Sequence, residues 1–258
     1  MNGPRIAALS MYDRPETAAA NDRLWAGIRA AFGSGPPALT RAGDPWDIWR
    51  SPRLLLAQTC GYPYRARLHG RVALVGTPDP GLPDCPPGHY FSVFIARASD
   101  AALPVRAFAG RRFAYNEALS QSGWAAPRCH AAQQGFTFTN LLCSGSHRAS
   151  AQAVAEGRAD CAALDAVSWE MMRRWDDFAR GLVVLERTAP TPGLPLISAR
   201  GADTETLAKA VAQAIDALPR QDRDTLMVRA LVPIEAERYL EVATPPGPGE
   251  AGEDSAFS

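Results

Sequence analysis

The chain has 258 residues, 47% of them hydrophobic, with 27 Lys plus Arg balanced by 27 Asp plus Glu. That length suits one large domain or two lobes of about 100 residues each, with enough apolar sequence for a sizeable core. A formal net charge of zero gives no footing for a nucleic-acid binder or a polybasic membrane surface.

"RIAALS" reads as a first strand, followed by the loop "MYDRPE" and the helix "TAAANDRLWAGIRAAFG". Leu24, Trp25, Ile28, Ala31 and Phe32 recur at helical spacing there, and Gly33 ends the run. "GSGPPALTRAGDPWDIWRSP" has loop composition, with one short helical turn at its end. "RLLLAQTCGYP" is a continuous apolar run closed by polar residues, the pattern of a buried parallel strand. "GRVALVGTP" and "HYFSVFIAR" are two more strands, parted by the Pro/Gly-rich "DPGLPDCPPG".

Strands and helices then alternate. "RRFAYNE" is a strand, "SGWAAPRCHAAQQ" a helix, "TFTNLLCSG" a strand and "SHRASAQAVAEG" a helix closed by Gly157. "ADCAALD" and "GLVVLERT" are strands flanking the helix "AVSWEMMRRWDDFA", whose Trp169, Met171, Met172 and Trp175 are expected in a core. After "PTPGLPLISARG" come two helical segments, "DTETLAKAVAQAIDALP" and "RQDRDTLMVRALV". The final "TPPGPGEAGEDSAFS" has the composition of a disordered tail. The alternation predicts an α/β fold with mostly parallel sheets.

Five cysteines stand at Cys60, Cys85, Cys129, Cys143 and Cys161, an odd number without a C-x-x-C pair. This argues against a disulfide-stapled fold and for a reducing compartment. The amino terminus offers only a four-residue apolar run, Ile6 to Leu9, too short for a secretory h-region, and no stretch approaches a membrane span. Cytoplasmic residence is the resulting expectation, or periplasmic residence if a leader has been removed.

In α/β folds ligands bind outside the carboxyl ends of the strands. That rule selects five loops: "SMYD", "QTCGY", "NEALSQSG", "SGSHR" and Asp165 after "CAAL". In "YNEALSQSGW" two serines, a glutamine and a glycine fall where a strand turns into a helix. The first N–H groups of a helix lack intrahelical partners and carry a positive dipole, which suits a bound anion. The competing reading is that Ser120 or Ser122 simply caps the helix. Cys129, His130, Cys143 and His147 give a C-H-x12-C-x3-H spacing, but adjacent residues on one helix point in different directions, so no metal is expected. Cys143 and Cys161 read as small core residues.

"SMYDRPE", "LAQTCGYP", "YNEALSQSG", "GSHRASAQAVAEGRADCAALD" and "RTAPTPGLP" together resemble the phosphate/phosphite/phosphonate substrate-binding proteins of ABC transporters. The resemblance runs in order over roughly residues 5 to 200. It implies a type II periplasmic binding protein fold, two α/β lobes joined by crossing strands with a ligand cleft between them. Lobe one would be 1–89 plus 190–243, lobe two 90–189, and 244–258 a tail. It also implies a non-enzymatic binder of a phosphonate, phosphite or phosphate, without cofactor, and an ABC permease as partner if the protein is exported.

Carried over residue by residue, the resemblance puts Asn116, Ser120, Gln121, Ser122 and Gly123 on the anion, with Ser146 and His147 adding donors. Tyr12, Gln58, Thr59 and Cys60 would approach from the other lobe. Asp165 would meet a positively charged or hydroxylated substituent. Pro127 stands early in the following helix, where it removes an N–H and can redirect the first turns. The alternative is an enzyme on the same fold, similar to a thiamine-pyrimidine-precursor synthase or using Cys60 with His147 as a nucleophile pair.

Overall fold

The computed structural model describes residues 4–249. In chain order, the first segment carries β1 (Ile6–Ala8), α1 (Pro15–Phe32), α2 (Pro45–Trp49), β2 (Leu54–Gln58), α3 (Gly61–Pro63) and β3 (Val72–Asp79). After β4 (His89–Tyr90) come β5 (Ser92–Arg97), β6 (Arg112–Tyr115), α4 (Ala126–Gln133), β7 (Asn140–Cys143), α5 (His147–Ala155), β8 (Cys161–Asp165), α6 (Ala166–Trp175) and β9 (Leu182–Arg187). The chain returns through β10 (Thr191–Pro192) to β11 (Leu196–Ala199), α7 (Thr204–Ala217), α8 (Arg220–Leu226), β12 (Ala230–Val232) and α9 (Ala236–Leu240).

These elements form two compact units. The first runs to His89 and resumes over Pro192–Glu241; the second is Tyr90–Thr191 with the segment from Val242 on.

The first unit is built on a five-stranded sheet of order β1-β2-β11-β3-β12. Its interior strand β2, "LLLAQ", is buried at every position, so both faces must be covered. One face is covered by α1 and α7, where Leu24, Trp25 and Ile28 pack with Val211 and Ile215. The other collects Trp49, Tyr64, Leu68, Ile197 and Tyr239. Each such side chain contributes roughly 1.5–3 kcal/mol by leaving water. Gly33 ends α1 in the left-handed conformation, φ 81°, open to it because it has no Cβ.

The second unit holds a sheet of order β7-β6-β8-β5-β9. β6 runs parallel to β7 and β8, which brings the ends of all three strands to one edge. Trp169, Met171 and Met172 are buried as the helical spacing requires, while Trp175 is half-buried.

Two expectations need correction. The sheets are mixed, not mostly parallel: β11 is antiparallel to β2 and β3, β12 to β3, and β5 to β8 and β9. The strands next to the two chain crossings enter each sheet from the opposite end, which alternation of strands and helices cannot reveal. β11 lies in "PTPGLPLISARG", to which the sequence pattern assigns no element, and β12 in a segment read as helix. "RQDRDTLMVRALV" stops being helical at Leu226, where Met227 takes a left-handed φ of 51°, and the chain then extends into β12.

The tail also differs from expectation. Pro246 accepts a 3.0 Å hydrogen bond from the Trp124 indole Nε1, so 244–249 are seated on the second unit although Pro and Gly deny them regular structure. Residues 250–258, the rest of the expected tail, lie outside the described residues. None of the five cysteines is joined in a disulfide among the described residues.

Candidate functional site

The carboxyl edge of β6 organises the second unit's polar loops. Past Tyr115 the chain turns through Asn116–Leu119 and enters a wide helical turn, Gln121–Ala125, that runs straight into α4. The turn is π-type, with Ala125 N donating to Ser120 O at 3.0 Å. A wider ring at this point lets Pro127, which has no N–H to give, sit at the start of α4 without a broken helical bond.

Ser120 is the cap of this turn. Its Oγ accepts from Gly123 N at 3.0 Å, the bond that satisfies an orphan donor at a helix start. The capping reading is therefore right for Ser120. Ser122 does something else: its Oγ lies 2.8 Å from His147 Nε2. Both serines and Gln121 are buried.

His147 is the first residue of α5, set there by Ser146, whose Oγ accepts from Ala149 N at 3.1 Å. The strand-to-helix loop is knitted by Ser144, a residue the sequence pattern did not single out. Its Oγ lies within hydrogen-bond distance of Tyr115 O, Ser146 O and Ser150 Oγ. Gly145, at φ 89°, donates its N–H to Asn116 O at 2.9 Å. Together these bonds fix the β7–α5 loop against the β6 loop, and so place the imidazole on Ser122. The signal for Ser144 was present in "CSGSHR", where a serine before a glycine turn is a ready bridge between backbone carbonyls.

Asn116 completes the cradle. Its Oδ1 is buried without a hydrogen bond and faces Gly123 so closely that a Cβ there would fall on it. An unsatisfied buried acceptor is uncommon and calls for a reason.

The electrostatics are those of neutral donors. Burial pushes the His147 pKa down to about 4, only partly opposed by the Ala163 carbonyl, so the imidazole is uncharged at neutral pH. Arg148, one residue on, turns away to Asp176 at 2.8 Å. An anion on this turn would meet a helix N-terminus, hydroxyls and an imidazole, which favour negative charge through oriented dipoles and need no metal.

Asn116, Ser120, Gln121, Ser122, Gly123, Ser146 and His147 are thus brought together in the second unit. Asp165 is buried at the end of β8, where its Oδ1 accepts from Ser168 N at 2.9 Å and caps α6. Tyr12, Gln58, Thr59 and Cys60 belong to the first unit. Tyr12 is half-buried in the turn after β1. Gln58 donates Nε2 to Leu194 O at 3.3 Å, and Cys60 is buried at the head of α3. Thr59 is fully buried, with an Oγ1 that makes no hydrogen bond. Of the zinc-like spacing, Cys143 Sγ donates to Asn116 O at 3.5 Å and His130 pairs with Glu186 at 3.0 Å. No group of three or more His, Cys, Asp or Glu able to hold a metal occurs among the described residues.

The profile of the family described as ABC transporter, phosphonate, periplasmic substrate-binding protein matches residues 56–240. Three solved structures share the fold. PhnD1 from Prochlorococcus marinus, in complex with methylphosphonate, superposes with a TM-score of 0.73 at 16% identity, covering 92% of this chain and 94% of its own. A binding protein component of an ABC phosphonate transporter from Pseudomonas aeruginosa gives 0.68 at 17%, covering 92% and 84%. A Xanthomonas citri protein bound to ATP gives 0.67 at 18%, covering 92% and 94%. No curated protein matches the chain in sequence.

Proposed function

Because the chain belongs to the family of periplasmic substrate-binding proteins of phosphonate ABC transporters, we propose that it holds a small phosphorus oxyanion on the Ser120–Gly123 turn and His147. Proteins of this family and fold bind a solute without transforming it, so the enzyme reading of Cys60 and His147 is not favoured. The observation that carries the proposal is the 2.8 Å Ser122–His147 pair beside a capped helix start. It gathers a hydroxyl, a neutral imidazole and backbone N–H groups on one point of a buried turn. The methylphosphonate held by the Prochlorococcus marinus relative supports a phosphonate, phosphite or phosphate over a carboxylate.

Asp165 and the first-unit residues Tyr12, Gln58, Thr59 and Cys60 are proposed as further ligand contacts. The family works in the periplasm, and on that footing an ABC permease is the proposed recipient of the ligand. No helix of the described residues is long and apolar enough to cross a membrane. Fractionation of native cells distinguishes periplasmic from cytoplasmic residence.

Thermal melts with methylphosphonate, phosphite, phosphate, sulfate and acetate test the ligand class. A ligand at about 100 times its dissociation constant adds about 2.7 kcal/mol. A phosphorus oxyanion should raise the melting temperature where acetate does not. No shift with any phosphorus oxyanion would overturn the proposal.

A further inference from the structure

The turn that carries Tyr12 is tied down by side chains from elsewhere in the first unit. Tyr12 ends a 3₁₀ turn, Ser10–Tyr12, and Asp13 follows it in an extended conformation. Thr17, fully buried in the first turn of α1, donates its hydroxyl to Tyr12 O at 2.8 Å and accepts from Arg14 N at 2.9 Å. One side chain thereby holds backbone groups on both sides of Asp13.

The Asp13 carboxylate is gripped as well. Its Oδ1 accepts from Asn21 Nδ2 at 2.9 Å and its Oδ2 from Arg41 Nε at 2.6 Å. Arg41 comes from the loop after α1, which is itself fastened to β1 where Thr40 N donates to Ala7 O at 2.7 Å. The other two nitrogens of Arg41 reach Asp22 Oδ1 at 2.9 Å and Ala18 O at 3.2 Å, both on α1. A guanidinium presents its donors in one rigid plane, so acceptors on all three nitrogens leave it little freedom to turn. Asp13 first, and then Asp22, hold the Arg41 pKa above its ordinary value. Arg41 therefore joins the Tyr12 turn to α1 from a loop that is anchored on β1.

We propose that Arg41 is a positioning residue for the ligand: by holding Asp13 against α1 it sets the backbone that carries Tyr12. The inference rests on the reading of Tyr12 as a ligand contact. Arg41 acts through the turn and not on the ligand. Lysine would not serve as well, because an ammonium keeps the charge but has no planar fork to span Asp13, Asp22 and Ala18 O.

Two measurements test this. Without ligand, hydrogen exchange at the Asp13 and Arg14 amides reads the turn directly. Arg41→Gln should speed that exchange about fivefold, the worth of a partly exposed ion pair, and Arg41→Lys should speed it less. With methylphosphonate, calorimetry compares the natural chain, Arg41→Gln, Tyr12→Ala and the combination. Arg41→Gln should weaken binding about tenfold, as when one charge-assisted hydrogen bond is lost. It should add nothing once Tyr12 is replaced, because both changes then remove one interaction. Exchange that is unchanged in both Arg41 variants would overturn the proposal. So would an Arg41→Gln loss of the same size with and without Tyr12, or Tyr12→Ala protein that binds as tightly as the natural chain. A natural chain that binds neither methylphosphonate, phosphite nor phosphate would overturn the oxyanion reading instead, and the ligand-free exchange rates would still decide whether Arg41 sets the turn.

Discussion

Ser122 Oγ and His147 Nε2 lie 2.8 Å apart, a hydrogen bond between the turn that follows β6 and the first residue of α5. The partners stand twenty-five positions apart in the chain, and bonds from Ser144 Oγ to Tyr115 O and from Gly145 N to Asn116 O help hold the two loops together. The imidazole is kept neutral by burial, its pKa pushed down to about 4. A neutral imidazole can both donate and accept, so the pair adapts to a ligand by rotating one hydroxyl hydrogen.

That pKa fixes a pH dependence. The folded His147 refuses a proton that the unfolded chain takes up near pH 6.5. Stability from this group is fully present above about pH 6.5 and is lost as pH falls toward about 4, by at most about 3 kcal/mol. Without ligand, the melting temperature should fall between pH 7 and pH 4.5, and His147→Gln should flatten that slope. Equal slopes in the two proteins would mean the imidazole titrates as if exposed.

How much of this could be read from sequence follows from which contacts are local. β2 was legible because "LLLAQ" is buried on both faces and every residue is apolar or terminal. β11 was not: the four residues Leu196–Ala199 that follow Pro195 carry no period, and the strand forms because β2 and β3 offer edges on either side. The Ser120 turn was legible as a helix start, since capping is a property of a few adjacent residues. Its division of labour was not. Whether Ser120 or Ser122 caps depends on the π-type turn, and the partner of Ser122 comes from another loop. The seat of the tail on Trp124 is likewise a long-range contact between an indole N–H and a proline carbonyl, and composition alone read that segment as tail.

A side chain at Gly123 would force Asn116 to move. A Cβ would fall on Asn116 Oδ1 and come within 3.3 Å of Asn116 N, and a buried clash of this kind costs roughly 1–3 kcal/mol. Gly123→Ala should lower the melting temperature accordingly and abolish oxyanion binding. Adding Asn116→Ala removes the clashing atom and should restore most of the stability. If the double variant is no more stable than Gly123→Ala, the clash is not what Gly123 avoids.

Asp165 offers a test of ligand selectivity that leaves the helix intact. Its carboxylate caps α6, and asparagine caps as well as aspartate, so Asp165→Asn should melt near the natural protein. If the carboxylate also meets an ammonium group on the ligand, its loss removes a charge-assisted hydrogen bond. Aminoalkyl phosphonates should then bind about tenfold or more weakly, with methylphosphonate little changed. Calorimetry showing the same loss for both ligands would assign Asp165 to the cap alone.

The two serines are separated by placing a carboxylate at each. Ser120→Asp keeps an acceptor for Gly123 N–H at a cap position that aspartate fills as well as serine, so stability should change little. Ser122→Asp sets the carboxylate beside the imidazole, where a nearby opposite charge favours protonation. The His147 pKa should then rise from about 4 toward or above its ordinary range, readable by NMR titration of the ring. The same carboxylate occupies the place proposed for the anion and repels it, so the methylphosphonate-dependent rise in melting temperature should vanish in Ser122→Asp. In Ser122→Ala it should only shrink, because one donor is lost and no charge is added. Ser122→Asp protein that still binds methylphosphonate as tightly as the natural chain would place the anion elsewhere and leave the turn as a cap.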